Sequence, residues 1–101
     1  MIKKIMEALD GIRDLPDEWD GPGTSKVSVH VIAMARLFTA VLEASGYRLP
    51  DRVAPAPDGD IIFGWIIEGA PMIEAEITDN TVYFVGDGEV YLEYPEILRL
   101  L

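Results

Sequence analysis

The chain has 101 residues, half of them hydrophobic and none of them cysteine. This length and composition predict one domain, residues 1–101, with an apolar core, and the lack of cysteine excludes disulfides and thiolate zinc sites. Eighteen Asp and Glu against eight Lys and Arg give a net charge of −10, which argues against nucleic-acid binding because an acidic surface repels phosphate.

The charge is unevenly distributed along the chain. Residues 53–101 hold ten acids and a single base, Arg99, whereas residues 1–52 hold the other seven bases. An acidic surface attracts a basic protein or a hard cation, and it also simply keeps a protein in solution. No stretch approaches the roughly 20 apolar residues of a membrane span. We therefore expect a soluble, cytoplasmic protein with no membrane partner.

The first predicted element is an amphipathic helix near the start of the chain. Its apolar residues fall at the spacing of one helix face, at Ile2, Ile5, Met6, Leu9 and Ile12. Pro16 and the run Asp20-Gly21-Pro22-Gly23 predict that a loop follows this helix.

The second predicted element is an unusually apolar helix from about Lys26 to Ser45. Thr24 or Ser25 is the expected N-cap, and Gly46 is the expected left-handed stop. Its polar residues form one narrow strip, made of Ser28, Arg36, Thr39 and Glu43. Because nearly every other side chain is apolar, we expect this helix to be buried on most sides.

The second half of the chain is rich in β-forming residues. An extended, proline-rich connection over residues 47–57 leads to a turn in which Gly59 is expected at positive φ. Four runs rich in β-branched and aromatic residues follow, Ile61–Ile67, Met72–Thr78, Thr81–Val85 and Glu89–Tyr94. The short breaks between them are typical of hairpins. The sequence thus predicts an α+β fold, with two N-terminal helices packed on one face of a three- to four-stranded antiparallel β-meander. Residues 95–101 fit either a helical turn or an edge extension.

Two short segments resemble a known family. Trp19-Asp20-Gly21-Pro22-Gly23 precedes a capped helix, and Pro55-Ala56-Pro57-Asp58-Gly59-Asp60-Ile61 leads to Trp65. In this order and spacing, over residues 15–85, they resemble a family of small uncharacterised bacterial proteins with a W-D-G loop, a helix and a P-D-G turn before a Trp-bearing strand. The resemblance implies a compact helix-plus-sheet fold and supplies no catalytic residue. Gly64 departs from the pattern, and a glycine inside a strand indicates a bulge or a close backbone approach.

Three residues are candidates for a small-molecule site between helix and sheet, namely Trp19, His30 and Trp65. Each has a structural alternative. His30, the only histidine, lies on the apolar side of the second predicted helix, where we expect a packed residue with one satisfied nitrogen. Trp19 gains most by burying its ring at the junction of helix and sheet.

Paired carboxylates are the candidates for catalysis or cation binding. Glu74 and Glu76 share one face of a predicted strand, and Glu89 and Glu93 share a face of the last one. Opposed carboxylates can act as an acid and base pair or bind Mg²⁺ or Ca²⁺, but alternating glutamates are also the ordinary solvent side of a strand. A nuclease-type site would add a lysine near the carboxylates, but residues 53–101 contain none. A carboxylate-based metal or enzyme site stays an alternative, but the sequence favours a protein that is not an enzyme, and it assigns no catalytic residue, no metal site and no cofactor.

The second face of the sheet is the most informative feature. The first of the four β-rich runs is apolar on both sides, with Phe63 and Trp65 opposite Ile62 and Ile66, more than a one-faced sheet needs. Such a sheet is either covered twice within the monomer or meets a partner. The sequence favours a protein-interaction module, either a homodimer or an accessory, antitoxin-like or immunity-like binder of a basic partner. The predicted partner-binding residues are Ile62, Ile66, Met72, Glu74, Glu76, Tyr83 and Tyr91.

Overall fold

Two N-terminal helices pack on a four-stranded antiparallel sheet. The computed structural model describes residues 2–70 and 72–85. The helices are α1, Ile2–Arg13, and α2, Val29–Ala44, and the strands are β1, Arg52–Pro55, β2, Ile61–Trp65, β3, Ile73–Ile77, and β4, Val82–Val85. The strand order β1-β2-β3-β4 makes every described pairing a pairing of chain neighbours. The predicted α+β class and antiparallel meander are confirmed.

The start of α2 differs from the sequence prediction. Ser28 is the N-cap, and its hydroxyl accepts a hydrogen bond from the Val31 N–H at 3.3 Å. The predicted caps, Thr24 and Ser25, lie in the preceding loop. The Ser25 N–H donates to the carbonyl of Pro57 at 2.8 Å. Because this bond ties the loop to the turn before β2, the chain stays extended until Ser28.

The predicted end of α2 is confirmed. Gly46 has φ +75°, and the Tyr47 N–H donates to the carbonyl of Leu42 at 2.9 Å. This is a Schellman termination, in which a left-handed residue lets the chain return to the last helical carbonyls. Gly59 also takes the positive φ expected of it, at +95°.

Strand β1 lies inside the segment for which the sequence predicted only an extended connection. It pairs with β2 in the register Val53 with Phe63, and the Asp51 N–H donates to the carbonyl of Gly64 at 2.8 Å. Prolines such as Pro55 argue against a central strand, but an edge strand tolerates them because one side of it needs no partner. The fourth β-rich run, Glu89–Tyr94, and residues 95–101 lie outside the described residues.

The core lies between the helices and the sheet. It contains side chains from every helix and from β2 and β3, and its largest fully buried members are Trp65, Phe63, Leu9, Ile61, Ile73, Ile77 and Thr39. Aromatic rings form its centre, with the Phe38 and Phe63 centroids 5.9 Å apart and the Trp65 and Phe84 centroids 6.0 Å apart. The Trp65 indole N–H donates to the carbonyl of Arg48 at 2.9 Å, so the buried ring leaves no polar atom unpaired.

Helix α2 is rotated so that part of its apolar surface faces solvent. Thr39, from the predicted polar strip, is fully buried, and its hydroxyl donates to the carbonyl of Ala35 at 2.8 Å. Val29, Leu37 and Val41 are 70%, 60% and 50% exposed. The prediction that this helix is buried on most sides is therefore wrong. In the described part of the chain, no helix is long and apolar enough to cross a membrane.

Candidate functional site

The sheet face turned away from the helices carries a mixed apolar and acidic surface, here called the outer face. Because side chains alternate along a strand, the inward position of Phe63 places its neighbours Ile62 and Gly64 outward. Cross-strand register aligns two outward rows, Ala54, Ile62, Glu76 and Tyr83 in one and Arg52, Gly64 and Glu74 in the next. Every side chain in these rows is exposed or half-buried.

A shallow groove of about 130 Å³ crosses this face. Its lining residues are Arg52, Ala54, Ile62, Gly64, Met72 and Glu74. Gly64 forms the floor, because a Cβ built there would lie 3.2 Å from Met72 Cε and 3.5 Å from Arg52 Cβ. β2 passes through Gly64 in regular register. Neither of the two alternatives that the sequence left for this glycine, a bulge or a close backbone approach, is seen there, because the close neighbours are the side chains of Met72 and Arg52.

Three carboxylates converge at one end of the same face. Each of Asp58, Asp60 and Glu76 offers an oxygen, and these atoms all lie within 4.8 Å of one another. The turn before β2 supplies the two aspartates, and the Asp58 carboxylate accepts a hydrogen bond from the Asp60 N–H at 3.1 Å. Glu76 reaches them from β3, where it pairs with Ile62. The carboxylate cluster and the groove are thus neighbours on the outer face.

The close packing of the three carboxylates changes the pKa values of groups in and beside the cluster. Partial burial raises the pKa of Asp60 to about 6, and a hydrogen bond with Glu76 and the negative charges of Asp58, Glu76 and Asp79 act in the same direction. A hydrogen bond to Glu76 also raises the pKa of Tyr83, with smaller contributions from burial and neighbouring charges. Like charges held this close favour binding of a positive group, which can be a proton, a side-chain ammonium or guanidinium, or a hard cation.

The structure brings most of the predicted partner-binding residues together. Ile62, Met72, Glu74, Glu76 and Tyr83 lie on the outer face. Ile66 follows the end of β2, is 59% exposed, and donates its N–H to the Asp51 carboxylate at 2.8 Å. Tyr91, Glu89 and Glu93 lie outside the described residues. Sequence reasoning did not predict the cluster of Asp58 and Asp60: Asp58-Gly59 invites a ligand interpretation, but turn chemistry is the simpler explanation of it. The sequence signal that could have indicated the cluster is the position of this turn directly before β2, which places its aspartates next to the sheet.

The predicted small-molecule trio is not assembled into a site. Trp65 has no exposed surface. His30 is exposed on α2, so the expectation that it is a packed residue is wrong. Trp19 is half-buried in the loop between the helices, and its indole N–H donates to the carbonyl of Ser25 at 3.3 Å. With Trp65 fully enclosed, these three side chains do not share a surface on which a ligand could bind.

A second depression, of about 280 Å³, lies between α1 and β1. Its lining residues are Lys4, Ile5, Ala8, Pro50, Asp51 and Val53. It is mostly apolar and open, and Lys4 and Asp51 are its charged members. It contains none of the residues that the sequence predicted for a site and no group of converging polar side chains.

Comparison with protein-family models, with curated proteins and with solved structures finds no match. The W-D-G and P-D-G resemblance therefore rests on the quoted residues alone. Among the described residues, the outer face is our candidate site, because it carries both an apolar groove and a carboxylate cluster.

Proposed function

We propose that the protein is an interaction module whose outer face binds a basic segment of a partner protein. One observation carries this proposal: an apolar groove floored by Gly64 and a cluster of three carboxylates lie side by side on a sheet face that no described helix covers. Tyrosine and aliphatic residues rimmed by charge are typical of protein interfaces.

The groove supplies the apolar half of the contact. Ile62 and Met72 are only half-buried, and an aliphatic side chain placed over Gly64 would cover both. Fully burying one such side chain contributes about 1.5–3 kcal/mol. Burial of the partner's apolar side chain therefore contributes affinity, but it does not distinguish one apolar partner sequence from another.

The carboxylate cluster supplies the specificity. A lysine or arginine of the partner would pair with Glu76 and Asp60, and its charge would offset the neighbouring negative charges that, after burial and the hydrogen bond with Glu76, help to raise the pKa of Asp60. Ile62 and Glu76 are register partners, and such cross-strand Cβ atoms lie about 5 Å apart. The favoured ligand is therefore a segment in which an apolar residue and a base are close neighbours.

Charge distinguishes this proposal from self-association through the same face. Two copies facing each other across their outer faces would bring Glu74, Glu76 and Asp60 of one chain against those of the other, and like charges at an interface are unfavourable. Phosphate would be repelled for the same reason. A basic partner in the cytoplasm is the form of the interaction that this surface favours, and such a role requires no catalytic residue.

Calorimetric titration of the full chain with a short peptide of alternating leucine and arginine tests this function. The peptide should bind, increasingly weakly as salt is added, and a matched peptide with glutamate in place of arginine should not. Glu76→Lys should abolish binding. Glu7→Lys, the same charge change on an exposed position of α1, should leave most of it. Equal losses in both variants, or equal binding of both peptides, would contradict a specific site.

A further inference from the structure

Helix α2 presents an exposed apolar surface on the side away from the core. The surface, here called the α2 arc, consists of Val29, Ala33, Leu37, Ala40, Val41 and Ala44, all of them exposed. Three of these are among the six large hydrophobic side chains that are exposed in the described part of the chain. At 100° per residue the arc is continuous, with His30 as its one polar member.

Two polar contacts outside the arc accompany this orientation. Thr39 is fully buried with its hydroxyl bonded to the carbonyl of Ala35, and Arg36 pairs with Asp10 of α1. Turning the arc inward would expose the core residues Ile32 and Thr39 and break the pair. The arc therefore faces outward as a consequence of the fold, and a contiguous apolar patch of this kind marks an interaction site.

The charge distribution points to the occupant. Residues 21–42 contain no Asp or Glu, although the chain as a whole has eighteen. A basic partner is attracted to an acidic surface, and it would make no favourable charge contacts with this acid-free part of the chain. A second copy carries the same net charge of −10, and it can approach without like-charge repulsion where the surface lacks acids.

We infer that two copies of the chain pair through their α2 arcs in an antiparallel, two-fold arrangement. Ala33, Leu37, Ala40 and Ala44 are spaced by four, three and four residues, which is the spacing of a helix-packing seam. The small alanines allow close approach. A two-fold axis at Leu37 brings the two Leu37 side chains together and sets Ala33 opposite Val41, so apolar residues meet at the centre of the contact, while Ala44 comes opposite His30 near its ends.

This pairing is independent of the proposed function, and it is compatible with it. The helices lie on one face of the sheet, and the groove and carboxylate cluster lie on the other. A dimer formed through α2 therefore leaves both outer faces free. The result is a bivalent module, whose avidity for a partner with repeated basic segments exceeds the affinity of either copy.

Cross-linking tests the pairing directly, because the chain has no cysteine of its own. In full-length protein, Leu37→Cys should form a disulfide-linked dimer under mild oxidation, whereas Ile62→Cys on the outer face should form no disulfide cross-link. The reverse pattern would overturn the inference in favour of a dimer through the sheet.

Sedimentation equilibrium over a range of concentrations supplies the second measurement. The parent chain should dimerise, and Leu37→Glu should raise the dissociation constant by about a hundredfold or more, because it places two carboxylates in one apolar contact. Since Leu37 is 60% exposed, the variant should keep the parent's melting temperature at dilutions where both are monomeric. A parent that stays monomeric throughout would overturn the inference. So would a concentration-independent loss of stability in Leu37→Glu, which would show that the arc is covered within one chain.

Discussion

The Arg36 guanidinium on α2 lies 2.5 Å from the Asp10 carboxylate on α1. A second nitrogen of the same guanidinium donates to the sulfur of Met6 at 3.7 Å. The pair joins α2 to α1 beside the core, on a part of the α2 surface outside the α2 arc.

Arg36→Met should lower the melting temperature slightly, with a smaller effect in high salt, because the pair is partly exposed and salt screens it. The hydrogen bond to Arg36 lowers the pKa of Asp10. Its stabilising contribution is therefore present at neutral pH and is lost as the pH falls through the lowered value. Thermal melts of parent and variant should converge on acidification. A difference that is insensitive to both pH and salt would indicate lost packing rather than lost charge.

Asp60 should produce the opposite pH dependence. Its pKa is about 6 in the folded protein against an ordinary value of 3.8, so the folded state binds more protons between these values. Stability should therefore rise as the pH is lowered from 7 towards 4, in addition to any effect of other groups. Asp60→Asn should be more stable than the parent at pH 7 and should lose this slope. Urea unfolding at several pH values measures the free energy of unfolding and its dependence on pH. If the variant keeps the pH dependence of the parent, a group other than Asp60 is responsible for it.

Gly64→Ala should separate binding from stability. The added methyl group would lie 3.2 Å from the flexible end of Met72, which can move, and alanine is favoured over glycine within a strand by about 0.5–1 kcal/mol. The free energy of unfolding should therefore stay within about 1 kcal/mol of the parent. Binding of the leucine–arginine peptide should weaken, because the added methyl group fills the floor of the groove. Gly11→Ala, on α1 with no atom near the added carbon, is the matched control. Undiminished binding by Gly64→Ala would remove the groove from the site.

Trp19→Ala should destabilise the fold moderately, by about 1–3 kcal/mol, because the ring is half-buried rather than enclosed. In a Trp65→Phe background, which isolates Trp19, fluorescence should be blue-shifted and only partly quenched by iodide. A fully quenchable signal, together with an unaltered melting temperature for Trp19→Ala, would show an exposed ring and make the W-D-G loop a binding surface instead.

The amino-acid pattern predicted most of the architecture because the pattern is local. Ile5, Leu9 and Ile12 repeat at helical spacing and are buried, and alternation in β2 and β3 correctly separated inner from outer residues. β1 was missed because Pro55 and the flanking Pro50 and Pro57 outweighed its pairing potential, which depends on where β2 lies. The rotation of α2 was missed because the polar strip was assumed to face water. The Thr39 hydroxyl instead donates a hydrogen bond to a carbonyl of its own helix. Arg36 pairs with Asp10, which lies twenty-six residues away in the chain.

The candidate site was predicted in part for the same reason. Alternation alone places Ile62, Glu74 and Glu76 on one face. The cluster depends on register, since it forms only where Glu76 comes opposite Ile62 and next to the turn that carries Asp58 and Asp60. No local pattern fixes that register, and the two aspartates therefore looked like turn residues.

Nuclear magnetic resonance of the isotope-labelled full chain, titrated with the leucine–arginine peptide, tests the central claim most directly because it locates the contact. Shift changes should concentrate on the amides of Ile62, Gly64, Glu76 and Tyr83, with α1 and α2 largely unaffected, and they should disappear in Glu76→Lys. Changes confined to the α2 arc, or spread evenly over the acidic surface, would contradict a binding site on the outer face.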